Sequence, residues 1–365
     1  MAPRSMVSAK LATLLATLGL AGCGPQFDPP STIDTLRVLA VQKDRPYAAP
    51  GDDVHLTMLW SDGSSKAGRP IERAWVTGCV NPLGDLYAGC FSDPDLSTFK
   101  REMGDEVTFT IPTDIISSRP PPPDPRLPPY GLSYVFFAAC AGTIPDSFPI
   151  SCVDENGNTL GSKDFVVGYS AIYVYDHFGN GNPVVRGLSL DGKPLYGGCV
   201  DPASAAAVES GDLGAVLGRA SEGAGSSAAS EPPVVCDPSS IPEPSDEPDC
   251  SAPNAPCFVR PFPDTFVRQP LEIRPEVYRT SIETDEISKI TYGRDYEEQM
   301  WINYYVTKGD FLSDVRLLND ATTGLNEEFA TQFYPSYEPG PLTLWAVVHD
   351  NRGGVAWARG TLWVK

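Results

Sequence analysis

The sequence predicts an all-β fold built as two β-sandwiches in tandem. Three observations point there. Apolar residues alternate with polar ones at period two through most of the chain. The alternating segments are strand-length and are separated by turn residues at short spacing. Proline and glycine number 37 and 33 in 365 residues, well above ordinary usage, so turns are frequent and helices few.

The first half gives its strands in order. TLRVLAVQ (35–42) leads to a Pro50-Gly51-Asp52 turn, and DVHLTMLW (53–60) follows with Val54, Leu56, Met58 and Trp60 on one face. IERAWVTGCV (71–80), EVTFTIP (106–112), LSYVFFAAC (132–140) and DFVVGYSAIYVYD (164–176) repeat the pattern. Trp75 is expected in the core. A cysteine-bearing insertion (81–99) and the run PPPPDPRLPP (120–129) interrupt the strands as long loops, because proline cannot enter a ladder. GNGNP (179–183) breaks the periodicity. The first sandwich is therefore expected over 34–177, a linker over 178–182 and the second sandwich over 183–365. Within the latter, 196–261 is expected to be an irregular insertion with at most a short helix near Ala203 to Leu217, since 201–250 is acidic and rich in Ala, Ser, Gly and Pro. Strand text resumes at PLEIRPEVY (270–278), MWINYYVTK (300–308), PLTLWAVVHD (341–350) and GVAWARGTLWV (354–364), the last two joined by a turn at Asn351-Arg352-Gly353-Gly354.

LTLWAVVHDNRGGVAWARGTLWV resembles the closing hairpin of bacterial immunoglobulin-like and PKD-like modules, and LRVLAVQKDRPYAAPGDDVHLTMLW resembles their opening strands more loosely. The resemblance implies two immunoglobulin-like sandwiches of a kind used as spacers, adhesive domains or binding platforms in exported proteins. It raises the expectation of interaction over catalysis.

The N-terminus gives an address. Met1, Arg4 and Lys10 precede an apolar run from Leu11 to Leu20, half the roughly 20 residues a membrane span requires, so residues 1–22 are expected to be a cleaved signal. Leu20-Ala21-Gly22-Cys23 resembles the lipobox of bacterial lipoproteins. That resemblance implies acylation at Cys23, a lipidated tether over 23–33, the lipid bilayer as a partner, and the outer membrane as destination because Gly24 is not aspartate. The leaflet side stays open. A formal net charge of −20 argues against nucleic acid as a partner and leaves membrane attachment to lipid. With Cys23 acylated, Cys79, Cys90, Cys140, Cys152, Cys199, Cys236, Cys250 and Cys257 form an even set in an exported chain, which predicts disulfides. Cys79–Cys90, Cys140–Cys152 and Cys250–Cys257 are plausible short loops, and Cys79–Cys140 is the main rival.

Chemistry is sparse. His55, His177 and His349 are scattered, with no metal-ligand spacing and no nucleotide cradle, so no metal, catalytic residue or cofactor is assigned. On its strand His55 is expected to face solvent, and His349 similarly. Asp154-Glu155-Asn156-Gly157-Asn158 offers oxygen ligands to calcium in an irregular loop, and lacks the helical calcium-loop spacing. Alternation turns Trp345 and Val347 away from the face of Leu342, Leu344, Ala346 and Val348, and Trp357 and Trp363 away from that of Ala358, Leu362 and Val364. These residues are either an exposed binding face or are covered by the first domain or the insertion. The expectation is a membrane-anchored, non-enzymatic surface lipoprotein serving as a structural or protein-binding module for an unknown envelope protein. The alternatives are a carbohydrate-binding module using Trp345, Trp357 and Trp363 on a glycan, or a hydrolase with a loop-assembled site.

Overall fold

The computed structural model describes residues 30–66, 68–92, 97–210, 234–236, 248, 250–251, 257–258, 269–326 and 328–365. The signal, the lipobox with Cys23 and most of the insertion lie outside these residues. The first sandwich contains β1 (Leu36–Lys43), β2 (Tyr47–Ala48), β3 (Asp53–Asp62), β4 (Glu72–Val80), β5 (Lys100–Met103), β6 (Glu106–Thr110), β7 (Gly131–Cys140) and β8 (Phe165–Val174). One sheet has the order β1-β3-β6 and the other β2-β8-β7-β4-β5. Their inner faces meet through Leu36, Val54, Leu56, Met58, Trp75, Val107, Val135, Ile172 and Val174, the residues that period-two alternation assigns to one side. Trp75 is fully buried, and its indole N–H donates to the Gly104 carbonyl at 3.0 Å.

The second sandwich continues with β9 (Val185–Leu190), β10 (Lys193–Pro194), β11 (Tyr196–Val200), α1 (Pro202–Ser210), β12 (Val234–Val235), β13 (Cys257–Phe258) and β14 (Leu271–Val277). It closes with α2 (Glu286–Tyr292), β15 (Met300–Val306), β16 (Gly309–Phe311), β17 (Val315–Asp320), β18 (Gly324–Leu325), β19 (Thr331–Pro335), β20 (Gly340–Asp350) and β21 (Val355–Val364). One sheet runs β10-β9-β14-β19-β16, and the other runs β12-β11-β21-β20-β15-β17-β18 with β13 also on β21. Ile273, Ile302, Tyr304, Phe333, Leu344, Ala346, Val348, Ala358 and Val364 fill the space between them. The mostly stranded chain is thus all-β, as its sequence predicts.

Disulfides join Cys79–Cys90, Cys140–Cys152, Cys199–Cys236 and Cys250–Cys257. The three short loops expected from spacing form, and the rival Cys79–Cys140 does not.

Four expectations are corrected. Residues 196–200, placed in the irregular insertion, are β11, paired antiparallel with β21; an apolar sheet edge recruits them. The last tether residues pack, with Ser31 and Ile33 buried and the Ile33 amide donating to Val306 at 2.8 Å. The 178–182 linker is a hydrogen-bonded buckle: Asn182 donates to the Lys43 carbonyl at 2.6 Å and accepts from the Val355 amide at 2.9 Å, while Asn180 donates to Asp350 at 3.1 Å.

The fourth concerns the tryptophans. Trp345, Val347 and Trp357 do turn outward from their own sandwich, yet all three are buried. They meet Leu39, Ala40 and Leu59 on the outer face of β1 and β3, together with Ile33 and the Cys199–Cys236 bridge. A register shift between Val38 and Ala40 allows Leu39 and Ala40 both to face this junction while Val38 and Val41 pack on the first core. Trp363 is only half-buried. Trp345, Val347 and Trp357 are therefore no binding face, because an apolar sheet surface facing a second apolar sheet is removed from water.

Polar groups fix the junction's register. Asp201 accepts from the Gln42 amide at 2.6 Å, from the Ser204 amide at 2.9 Å and from the Trp357 amide at 3.0 Å. It thereby caps α1, whose first residue is Pro202, and bridges both halves. Burial pushes its carboxyl above the usual carboxylate range.

Candidate functional site

The outer face of the β8-β7-β4 sheet, unlike the tryptophan face, is open. On β8 the residues opposite the core at Ile172 and Val174 are Val167, Tyr169, Ala171 and Tyr173. Val167 is 60% exposed and Tyr169 48%. On β7 the matching residues are Tyr134 and Phe136, with Phe136 paired opposite Tyr169. The loop closed by Cys79–Cys90 lays Tyr87 on Tyr169, ring centroids 4.5 Å apart and stacked, and Phe91 on Phe136 at 5.1 Å. Phe148 extends the row from Phe91 at 6.0 Å. At the other end Tyr173 contacts Tyr130 at 6.0 Å and Tyr47 at 6.4 Å.

Local chemistry holds the loop. The Tyr130 hydroxyl donates to Asp85 at 2.9 Å, Arg119 pairs with the same carboxylate, and Arg119 lies 4.3 Å from the Tyr130 ring centroid. Leu83, at the loop tip, is 79% exposed. Opening the Cys79–Cys90 bridge with Cys79→Ser is expected to lower stability by about 2–3 kcal/mol and release Tyr87 from Tyr169. Urea unfolding, together with the near-ultraviolet dichroism of the tyrosines, checks this.

The aromatic row runs into a cleft between the sandwiches, about 460 Å³ in volume, lined by residues that include Lys43, Tyr47, Tyr173, Tyr175, Trp301, Asp350, Arg352 and Gly353. Arg352 stands at the tip of the β20–β21 hairpin. It donates to Glu298 from Nε at 2.8 Å and from Nη2 at 2.5 Å, and to Glu283 at 2.7 Å. Desolvation raises Glu298 to about 7 despite that partner. Asp350 accepts from the Arg352 and Gly354 amides at 2.7 and 2.8 Å, which shapes the turn the sequence predicts there. Desolvation lowers Lys43 to about 8, partly opposed by Asp350.

The histidines stay apart from one another. His55 is open to solvent on β3, beside Thr108 at 3.1 Å and Glu106 at 3.3 Å. His349 is less exposed than its sequence position suggests: it is half-buried, stacked on Trp301 at 5.2 Å, and desolvation pulls it down to about 4. Asp154, at the loop considered for calcium, spends its carboxylate on the Asn156 and Asn158 amides at 2.9 and 2.8 Å and on the Asn158 side chain. Among the described residues no group of three or more His, Cys, Asp or Glu is placed to hold a metal ion. No helix among them is long and apolar enough to cross a membrane.

Sequence reasoning missed the aromatic row and the buried Lys43. The available signal was Tyr169 and Tyr173 at even spacing on one strand and Tyr175 just past its end, with Tyr134 and Phe136 on another.

No family model matches the chain, and no curated protein sequence matches it. Among solved structures it is similar to Escherichia coli alpha-2-macroglobulin activated by porcine elastase, at 10% identity and TM-score 0.19, over 93% of this chain and 22% of that one. Salmonella alpha-2-macroglobulin reacted with methylamine is matched at 10% identity and TM-score 0.21, over 93% and 17%. Dimeric latent PorU from Porphyromonas gingivalis is matched at 10% identity and TM-score 0.18, over 92% and 24%. The chain spans about a fifth of the length of these proteins. Likeness at that level carries no argument about function.

Proposed function

We propose that the chain is a lipid-anchored module of the bacterial outer membrane, held by acyl groups on Cys23, that works without catalysis by binding an envelope protein. The binding surface in this reading is the aromatic row on the first sandwich. One observation carries it: the exposed rings of Tyr87, Phe91, Phe148 and Tyr169 are linked one to the next through Phe136 across two strands and a disulfide-closed loop, with Val167 and Tyr173 exposed beside them on β8. Contiguous exposed apolar surface of this kind marks contact sites on soluble domains, and rigid tyrosines give large contact area at low entropic cost.

Two measurements test the two parts. Labelled palmitate is expected to enter the wild-type protein in cells and to be absent from Cys23→Ala. The purified mature chain is expected to capture an envelope protein that Tyr87→Ala/Phe148→Ala fails to capture, while its unfolding free energy falls by no more than about 1–2 kcal/mol for the two lost ring contacts. Equal capture by the variant removes the row from the function, and equal labelling removes the anchor.

A further inference from the structure

We infer that the cleft between the two sandwiches binds an acidic saccharide, with Lys43 holding a sugar carboxylate and the tyrosines of the first sandwich stacking on the ring. The argument starts from Lys43, which closes β1 and is only 4% exposed. Its ammonium has three donors. One goes to the Ala171 carbonyl at 2.8 Å, and among the described residues no carboxylate lies within ion-pair distance of it. Ala171 and Gly353 bracket the ammonium, and both line the cleft. A Cβ on Gly353 would sit 2.8 Å from the Lys43 nitrogen, so the glycine keeps the space beside the cation open.

Lys43 is a poor stabiliser. Its pKa, lowered by burial from 10.5 to about 8, means that the folded chain binds fewer protons than the unfolded chain between those values. The burial penalty is therefore full below pH 8 and fades as pH rises. A buried cation that costs stability and faces a cavity is explained by an anion that enters the cavity. Arg352, the other cation of the lining, is already committed to Glu298 and Glu283, whereas Asp350 acts on Lys43 only through space, so Lys43 is the cation of the lining that has no ion-pair partner among the described residues.

The rest of the lining chooses the kind of anion. Tyr47 packs on Tyr175 at 5.0 Å and on Tyr173 at 6.4 Å, and Tyr173 is 38% exposed. Trp301 stands on the second sandwich's wall. Aromatic faces suit the C–H face of a pyranose, and a volume of about 460 Å³ lies in the range of small-ligand sites, too small for a folded partner. A carboxylate on a flat, partly apolar ring combines both demands, which is the chemistry of a uronic acid residue. The chain's net charge of −20 repels anions in general, so selection rests on this single buried cation.

Isothermal titration of the mature chain with digalacturonate and diglucuronate tests the site, with cellobiose, acetate and inorganic phosphate as controls. At least one acidic disaccharide is expected to bind, and none of the controls to match it. Lys43→Met is expected to weaken binding about tenfold to a hundredfold while unfolding at the same or higher urea concentration. Tyr173→Ala is expected to weaken it about threefold to tenfold. Phe148→Ala, at the end of the row away from the cleft lining, is expected to leave it unchanged, which tells loss at this site apart from loss at the far end of the row. Absence of binding by both acidic disaccharides, equal binding by Lys43→Met, or acetate or phosphate binding as tightly as the saccharide would each overturn the inference.

Discussion

Trp357→Ala is expected to lower the unfolding free energy by about 3–5 kcal/mol, the range for truncating a large buried aromatic. Trp357 is 1% exposed on β21, opposite Val347 on β20, in the cluster that joins Trp345 to Leu39, Ala40 and Leu59 of the other sandwich. Truncation leaves a cavity at the junction, not within either core, and each core keeps its own contacts. The loss is therefore expected to fall on docking: Trp357→Ala should unfold in two urea transitions, where the wild type shows one, and be cleaved by protease near β1. Trp357→Phe separates size from polarity. The indole nitrogen is buried without a hydrogen-bond partner, while the backbone amide bonded to Asp201 is kept in both variants. Phenylalanine preserves most of the apolar volume and removes an unpaired donor, so its cost is expected at about 1 kcal/mol or less. An alanine variant as stable as the phenylalanine variant would show that the junction is not closed by this side chain.

What was legible in the sequence is the part set by neighbours along the chain. Alternation places Leu344, Ala346 and Val348 inside and Trp345 and Val347 outside, and β20 obeys it. The same rule cannot say what lies above Trp345. Leu39 and Leu59 are some 300 residues away, and a register irregularity at Val38 to Ala40 turns two consecutive residues toward them, which period two forbids. The closely spaced cysteine pairs were readable because loop closure over about ten residues is geometrically easy. GNGNP was readable as a break in periodicity, yet its asparagines bond to Lys43 and Val355, partners that only the assembled junction supplies. The aromatic row depends likewise on Phe136 falling opposite Tyr169. Lys43 carries no local signal: a lysine at a strand end ordinarily reaches water, and here β8 and the β20–β21 hairpin close over it.

Arg352→Met is expected to cost about 3–5 kcal/mol at pH 8, because removing one partner of a buried pair leaves the other uncompensated. The partner is Glu298, whose side chain is 1% exposed. Its pH dependence gives the test a sign. Burial raises Glu298 from 4.5 to about 7, so the folded chain binds more protons than the unfolded chain between those values. The group's contribution is full below about pH 4.5 and is lost as pH rises through 7. Without Arg352 the carboxylate is disfavoured further, and the neutral acid becomes the form that folds. The variant's loss is therefore expected to be larger at pH 8 than at pH 5, where Glu298 is already protonated, by up to about 1.4 kcal/mol, the equivalent of the one pH unit between about 7 and 8. Glu298→Gln added to Arg352→Met removes the stranded charge and is expected to restore roughly half of the loss at pH 8. Urea midpoints at both pH values for the three proteins decide the matter. An equal loss at pH 5 and pH 8, or no recovery on adding Glu298→Gln, would move the role of Arg352 from charge to packing. That alternative has a structural basis in the 5.9 Å approach of its guanidinium to the Tyr47 ring. In either case the hairpin tip is a strut: Arg352 links Glu283 and Glu298 of the second sandwich to a tyrosine of the first, along the wall of the cleft that Lys43 also lines.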